Sequence, residues 1–330
     1  MSAFSSLESS FLRTMGSLLA PGGARGSLLV LIYHRVLEKR DPLIDDEPDA
    51  ATFAAEMDLI GSICNVLPLQ EAVDRLASGS LPPRAACITF DDGYANNRTV
   101  AAPILHARRM PATVFVATGF IGDGRMFNDT VIEAVRCAGE RLDLKDLGLG
   151  EFVLADLPAR RKAIGTLLGQ LKYGKPAERM ARAQQIAERV GVAQPRGLMM
   201  TEQQIRELDG FGCAVGAHTV MHPILKSVDA DEAAREIAQS KGTLEAITGR
   251  PVTLFAYPNG RPNRDYDSSH VRMVRGAGFK AAVSTAWGAA ARGGDLFQIP
   301  RMLPWDKSPW KFAARLLRTY REQRVETAAA

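Results

Sequence analysis

Apolar positions along this 330-residue chain fall into short unbroken runs, separated by stretches with helical periodicity. The runs predict strands at Leu28–His34, Ala85–Phe90, Ala112–Thr118, Cys213–Ala217, Thr253–Tyr257, Lys280–Thr285 and Phe297–Met302. The periodic stretches predict helices at Thr52–Ile63, Leu69–Ala77, Asn97–Arg108, Thr201–Leu208, Ala230–Thr248 and Ser268–Arg275. Thr201 and Gln204 form a capping box for one of them. Strands that alternate with helices and are apolar on both faces belong to parallel α/β sheets. Seven such strands suit a distorted or incomplete barrel better than an open sheet.

Three segments break this rhythm. Between Gly119 and Gly197 no strand pattern stands out, and charged helical periodicity dominates ("LPARRKAIGTLLGQL", "PAERMARAQQIAERV"). This predicts a helical insertion, either a lid or partner surface or a solvated cap. Near the start, Phe4, Leu7, Phe11, Met15 and Leu18 recur at helical spacing and read as the docking stripe of a helix rather than a membrane anchor. Near the end, Pro309–Arg324 combines Trp310, Phe312, Leu316, Leu317 and Tyr320 with basic residues. It reads as a helix closing the domain, with peripheral contact to an anionic membrane as the second reading. The final "ETAAA" reads as a frayed tail. The expected organisation is a helical segment over residues 1–27, a barrel over 28–307 interrupted at 119–197, and a basic helix with its tail over 308–330.

Composition narrows the function classes. Apolar residues make up 46% and charged residues 24%, which excludes global disorder. A net charge of +4 is too small for a nucleic-acid-binding surface. Cys64, Cys87, Cys137 and Cys213 are widely spaced, which argues against a thiolate zinc site and for a reducing compartment. "LLVLIY" (Leu28–Tyr33) is too short to cross a membrane, and no export-signal pattern opens the chain. The expected location is the cytoplasm or the cytoplasmic membrane surface.

The chemistry gathers where strands end. His34 ends the first, Asp91 and Asp92 follow the second, and His218 and His222 follow the fourth ("AHTVMHP"). The fifth runs into Pro258, Asn259 and Gly260, and the seventh ends near Arg301. In a parallel barrel these ends open on one face, and three of the chain's five histidines fall there. Two imidazoles and a carboxylate can hold a divalent metal, leaving the second carboxylate as a base. Each piece has a plainer alternative: Asp-Asp-Gly as a helix cap, His-x-x-x-His before Pro223 as a turn, His34 as a core histidine. Their convergence on one face favours chemistry. His106 and His270, on helical patterns, are given no role.

At these residues the sequence resembles the polysaccharide deacetylases, carbohydrate esterase family 4 or NodB-homology domain. "TFDDG" (Thr89–Gly93) and "HTVMHP" (His218–Pro223) match the first two signature motifs, and "FAYPNG" (Phe255–Gly260) follows in order. The resemblance spans roughly Leu28 to Met302 and implies a distorted (β/α)₇ barrel. It implies Asp91 as general base and Asp92, His218 and His222 as ligands of a divalent ion, usually Zn²⁺, with Co²⁺, Ni²⁺ or Mn²⁺ as alternatives. The motif arginine before the Pro-Tyr pair is missing, and no histidine follows His270 to supply the usual late acid. The permuted branch that includes poly-N-acetylglucosamine deacetylases draws its acid from an early "YH", which Tyr33-His34 fits.

His34 is therefore the implied acid, and Arg301 is assigned the role of the missing arginine. Tyr94, through its backbone N–H, and Tyr257, Pro258 and Asn259 are assigned to substrate contact or orientation. The implied activity is removal of an N-acetyl or O-acetyl group from a polysaccharide or glycan precursor by metal-activated water. Hydrolysis of another non-peptide amide or formamide, and a non-catalytic glycan-binding or assembly role, are the competing expectations.

Overall fold

The structure, a computed structural model, describes residues 5–192, 196–304, 306 and 308–329. Phe4 and Ala330, part of the N-terminal stripe and the tail, lie outside them. In chain order the first elements are α1 (Ser6–Leu19), β1 (Ser27–Tyr33), α2 (Ala50–Ile63), β2 (Asn65–Val66), α3 (Leu69–Ser78), β3 (Ala85–Phe90), α4 (Ala102–Ala107) and β4 (Ala112–Val116). The insertion contributes α5 (Phe127–Cys137), β5 (Arg141–Leu144), β6 (Gly150–Val153), α6 (Leu157–Leu171) and α7 (Pro176–Val190). The chain continues through α8 (Glu202–Glu207), β7 (Cys213–Ala217), α9 (Ala230–Thr248), β8 (Leu254–Ala256), α10 (Ser268–Gly276), β9 (Ala281–Val283), β10 (Ala290–Ala291) and α11 (Pro309–Thr319).

Six of the expected strands pair in parallel in the order β1-β3-β4-β7-β8-β9, and the sheet curls in the manner of a distorted (β/α)₇ barrel. The seventh, Phe297–Met302, does not form a ladder. Pro300 has no N–H to give, so the segment makes only isolated bridges, Ile299 to Val283 and Met302 to Leu31. Those bridges still join β9 to β1: Ser284 N–H donates to Ile299 O at 2.8 Å and Met302 N–H to Val30 O at 2.8 Å. β10, which the pattern did not predict, adds an antiparallel pair at the start of β1.

Period-2 alternation sorts the strand residues. Leu28, Val30, Ala85, Cys87, Phe115, Leu254, Ala256, Val283 and Ile299 form one buried cluster. Leu69, Ala72, Val73 and Leu76 of α3 join it, so α3 plugs the end of the barrel where strands begin. The alternate residues, including Leu29, Leu31, Tyr33, Phe90, Val114, Ala217, Phe255 and Tyr257, pack against the surrounding helices. Continuing the inward parity past each strand end arrives at His34, Asp91, His218, Pro258 and Arg301.

Several expectations change. The insertion carries a β-hairpin as well as helices, with Arg141–Leu144 paired antiparallel to Gly150–Val153. It has its own core, including Val131, Leu142, Leu144, Leu167 and Ile186. Asn97–Arg108 opens as a π-turn over Asn97–Ala101 before becoming α4, a register that accommodates Pro103 inside the helix.

The apolar stripe of α1 faces solvent, with Leu7 81%, Phe11 61% and Leu18 74% exposed. Buried Leu12 and Gly16 face the domain instead, because glycine permits close approach; a Cβ at Gly16 would sit 2.8 Å from Arg84 Cδ. The "ETAAA" tail is not frayed where it is described. Ala328 is buried, its N–H donates to Gln298 Oε1 at 2.6 Å, and its carbonyl accepts from Gln298 Nε2 at 3.3 Å. Among the described residues, no helix is long and apolar enough to cross a membrane.

Candidate active site

Asp92, His218 and His222 come together with one ligand atom from each within 4.8 Å of the others. Asp92 Oδ1 lies 3.5 Å from Nε2 of both histidines and has no hydrogen-bond partner among the described residues. The Nδ1 of His218 lies 2.7 Å from the Ala256 carbonyl, which can only accept, so that nitrogen carries the hydrogen. Nε2 is thereby left with its lone pair toward Asp92. A buried carboxylate oxygen without a donor and an outward lone pair fit a divalent cation. Burial works against charge on Asp92, yet His218 and His222 hold its pKa below the ordinary value. Burial also pulls His218 down, but Asp91 and Asp92 outweigh it and raise its pKa. Burial and the neighbouring His218 push His222 down to about 3, so its ring is neutral.

Asp91 stands apart from this set. Arg301 grips it through two bonds, Nη1 to Oδ1 and Nη2 to Oδ2, both 2.7 Å. Arg301 is fully buried, with Nε donating to Ser284 O and Nη1 to Thr89 Oγ1. Burial pushes the Asp91 carboxyl up, and Arg301, with His218, more than offsets this and keeps it below the usual range. Asp91 Oδ2 is 3.9 Å from His218 Nε2, so the paired carboxylate borders the candidate metal set without joining it.

Backbone strain marks the same loops. Asp92 has φ 75°, Thr219 63°, His222 51° and Asn259 58°, a left-handed conformation that non-glycine residues seldom hold without a reason. Gly93 follows Asp92 at φ 86°, and a Cβ there would approach Val116 Cγ1 to 2.9 Å. Only glycine fits.

His34, Asp92 and Tyr94 line a cavity of about 670 Å³. Its far wall comes from the insertion and the loop after β1, with Leu43, Ile132, Ile164 and Leu168. The His34 carbonyl accepts from Asn97 Nδ2 at 2.8 Å, a bond the π-turn makes possible. Glu47, also in the cavity wall, accepts the Arg35 N–H at 3.1 Å, and burial pushes its pKa up to about 7. The Tyr94 hydroxyl points away from chemistry: it donates toward Asp129 at 3.2 Å and accepts from Asn128 at 3.1 Å.

Tyr257 is not brought to the site. Its ring stacks on Tyr266 with centroids 3.9 Å apart, in the helix-facing core. The Phe255–Gly260 motif contributes through the Ala256 carbonyl instead. Pro258 is buried beside it, and the Asn259 carbonyl accepts from Thr285 Oγ1 at 2.5 Å.

The polysaccharide deacetylase family profile matches residues 78–282, more than half of the chain. The chain belongs to the polysaccharide deacetylase family. That family is one of hydrolases of carbon–nitrogen bonds other than peptide bonds, and its members generally depend on a metal. YxkH of Bacillus subtilis, described as a polysaccharide deacetylase, is 26% identical over 103 residues, 31% of this chain and 36% of that protein. Two solved structures share the fold. The Streptococcus pyogenes deacetylase PplD, in complex with acetate, superposes with a TM-score of 0.59 and 19% identity over 90% of this chain and 99% of that chain. IcaB from Ammonifex degensii gives 0.57 and 22% identity over 90% and 98%.

Sequence reasoning missed three groups at the site. The Ala256 carbonyl is invisible as a backbone atom. Glu236 of α9 accepts the Val220 and Met221 N–H groups at 2.7 and 2.8 Å, from a position that reads as solvated helix. Arg179 of α7 donates to the carbonyls of Met221 and His222, and its charged insertion sequence gave no hint of burial.

Proposed function

We propose that the chain is a metal-dependent deacetylase releasing acetate from an N-acetylated glycan or glycan precursor. The observation that carries this reading is Asp91, ionised and clamped by Arg301, beside the Asp92, His218 and His222 set. A divalent ion held by those three residues would supply the Lewis acidity that lowers the pKa of water and polarises an acyl carbonyl. Asp91 takes the proton of the attacking water, and Arg301 fixes its carboxylate while keeping it ionised through neutral pH. The Tyr94 N–H, which has no backbone acceptor among the described residues, is assigned to the acetyl oxygen as that oxygen gains charge. His34, in the wall of the same cavity, gives its proton to the departing amine as the carbon–nitrogen bond breaks, leaving acetate and a free amino sugar.

The test is acetate release from N-acetylated oligosaccharides after loading with a divalent ion. Asp91→Asn should keep the ion and lose roughly 10²–10⁴ in kcat, as expected for a general base. His34→Gln should keep the ion and lose most activity on N-acetyl sugars, but little on aryl acetates, whose leaving group needs no proton. Equal losses on both substrates would remove His34 from the acid role. Full activity of Asp91→Asn would overturn the mechanism.

A further inference from the structure

We infer that Arg179, from the insertion, is a positioning residue of the metal site, so that the insertion is part of that site rather than a detachable cover. This rests on the proposed ligand role of His222. The loop from His218 to His222 is held on all sides. The carbonyls of Thr219 and Val220 accept from the amides of Thr118 and Gly119, at 3.1 and 2.9 Å, and the amides of Val220 and Met221 donate to Glu236.

The next two carbonyls, of Met221 and His222, have no backbone donor among the described residues, and Pro223 follows with no N–H. Buried carbonyls without a donor cost stability, and Arg179 Nη2 supplies both bonds, at 2.9 and 2.5 Å. Arg179 is 2% exposed, its guanidinium packs over Phe127 of α5 at 4.8 Å, and its Nε has no partner among the described residues. A cation is thus buried with its hydrogen bonds spent on two carbonyls and with Asp92 and Glu236 as the opposite charges around it. His222 is held at φ 51°, and this clamp fixes where its ring meets Asp92.

The placement opposes its own charge. A guanidinium bonded to the His222 carbonyl repels a divalent ion held at that residue, so electrostatics alone would make the ion bind more tightly without it. The sign of one substitution therefore separates position from charge. Divalent-ion affinity is measured by competition with a chromophoric chelator on the full chain, for wild type, Arg179→Met and Arg179→Gly, with and without added guanidinium. Arg179→Met should bind Zn²⁺ about 10–100-fold more weakly, the usual cost of losing an outer-shell partner. Guanidinium should restore affinity to Arg179→Gly but not to Arg179→Met, whose side chain fills the space. Unchanged or tighter binding by Arg179→Met overturns the inference, as does absence of guanidinium rescue in a folded Arg179→Gly. His218→Ala runs beside them: if it binds as wild type does, the ligand set itself is wrong, an outcome separate from failure of the clamp.

Discussion

At the residue scale the fold spends burial on charge. Asp91 and Arg301 form a closed pair, and breaking one side would leave the other charged and unmatched inside the barrel. Glu56 is a half-buried carboxylate with a weaker partner. It accepts the Tyr33 hydroxyl at 2.9 Å, but burial dominates and pushes its pKa up to about 7. Its folded pKa lies above its unfolded one, so the protein binds this proton more tightly when folded. The stability it contributes is present below about pH 4.5 and is lost as pH rises through 7. Glu56→Gln keeps an acceptor for Tyr33 and removes the ionisation. It should raise the unfolding free energy at pH 8 by on the order of 2 kcal/mol and leave it unchanged near pH 4.5, read from denaturant titrations at both pH values. A pH-independent difference would mean that Glu56 does not titrate in this range.

At the scale of elements, strand parity made most of the site legible. Once the inward positions of β1, β3, β7 and Phe297–Met302 are counted, His34, Asp91, His218 and Arg301 fall on the barrel interior without further information. The same count places Tyr257 outside, with Phe255, whereas the motif alone had assigned it to substrate contact. The β5–β6 hairpin escaped notice because each strand is four residues long: Arg141–Leu144 alternates exposed and buried positions, but too briefly to stand out beside the longer helical stretches around it. The π-turn escaped because helical periodicity does not report a one-residue slip. That slip has a use: it presents Asn97, buried, to the His34 carbonyl. Asn97→Ala removes the donor and should cost about 1–2 kcal/mol in chemical denaturation, with a matching drop in N-deacetylation if His34 shifts. An unaltered midpoint would show the bond to be dispensable.

Across the whole molecule, the last residues act at a distance from their helix. After α11 the chain returns to the barrel, where the Glu322 carbonyl accepts the Ala289 N–H at 3.0 Å and Ala328 exchanges two bonds with Gln298. Gln298 in turn accepts from the Tyr266 hydroxyl at 3.1 Å, and Tyr266 supports the Tyr257 stack. A run of small residues carries no periodicity, so this docking has no signature in the sequence. Truncation after Val325 should strip Gln298 of its tail partners and cost roughly 1–3 kcal/mol, the penalty for a buried polar group left unmatched. A melting temperature equal to that of the full chain would place the tail outside the cooperative unit.

The bridges that join β9 to β1 also impose an order in time. β1 is synthesised long before the segments that pair with one of its edges, Ala290, Ala291 and Met302. At about 5–20 residues per second, that edge waits for tens of seconds before its partners leave the ribosome. Its sequence, LLVLIY, is the kind of flat apolar strand that recruits other strands while unpaired. A nascent chain of this protein is therefore most exposed to misassembly at the segment that is best buried once synthesis ends, and its yield in a cell should depend on chaperone supply more than its final stability suggests.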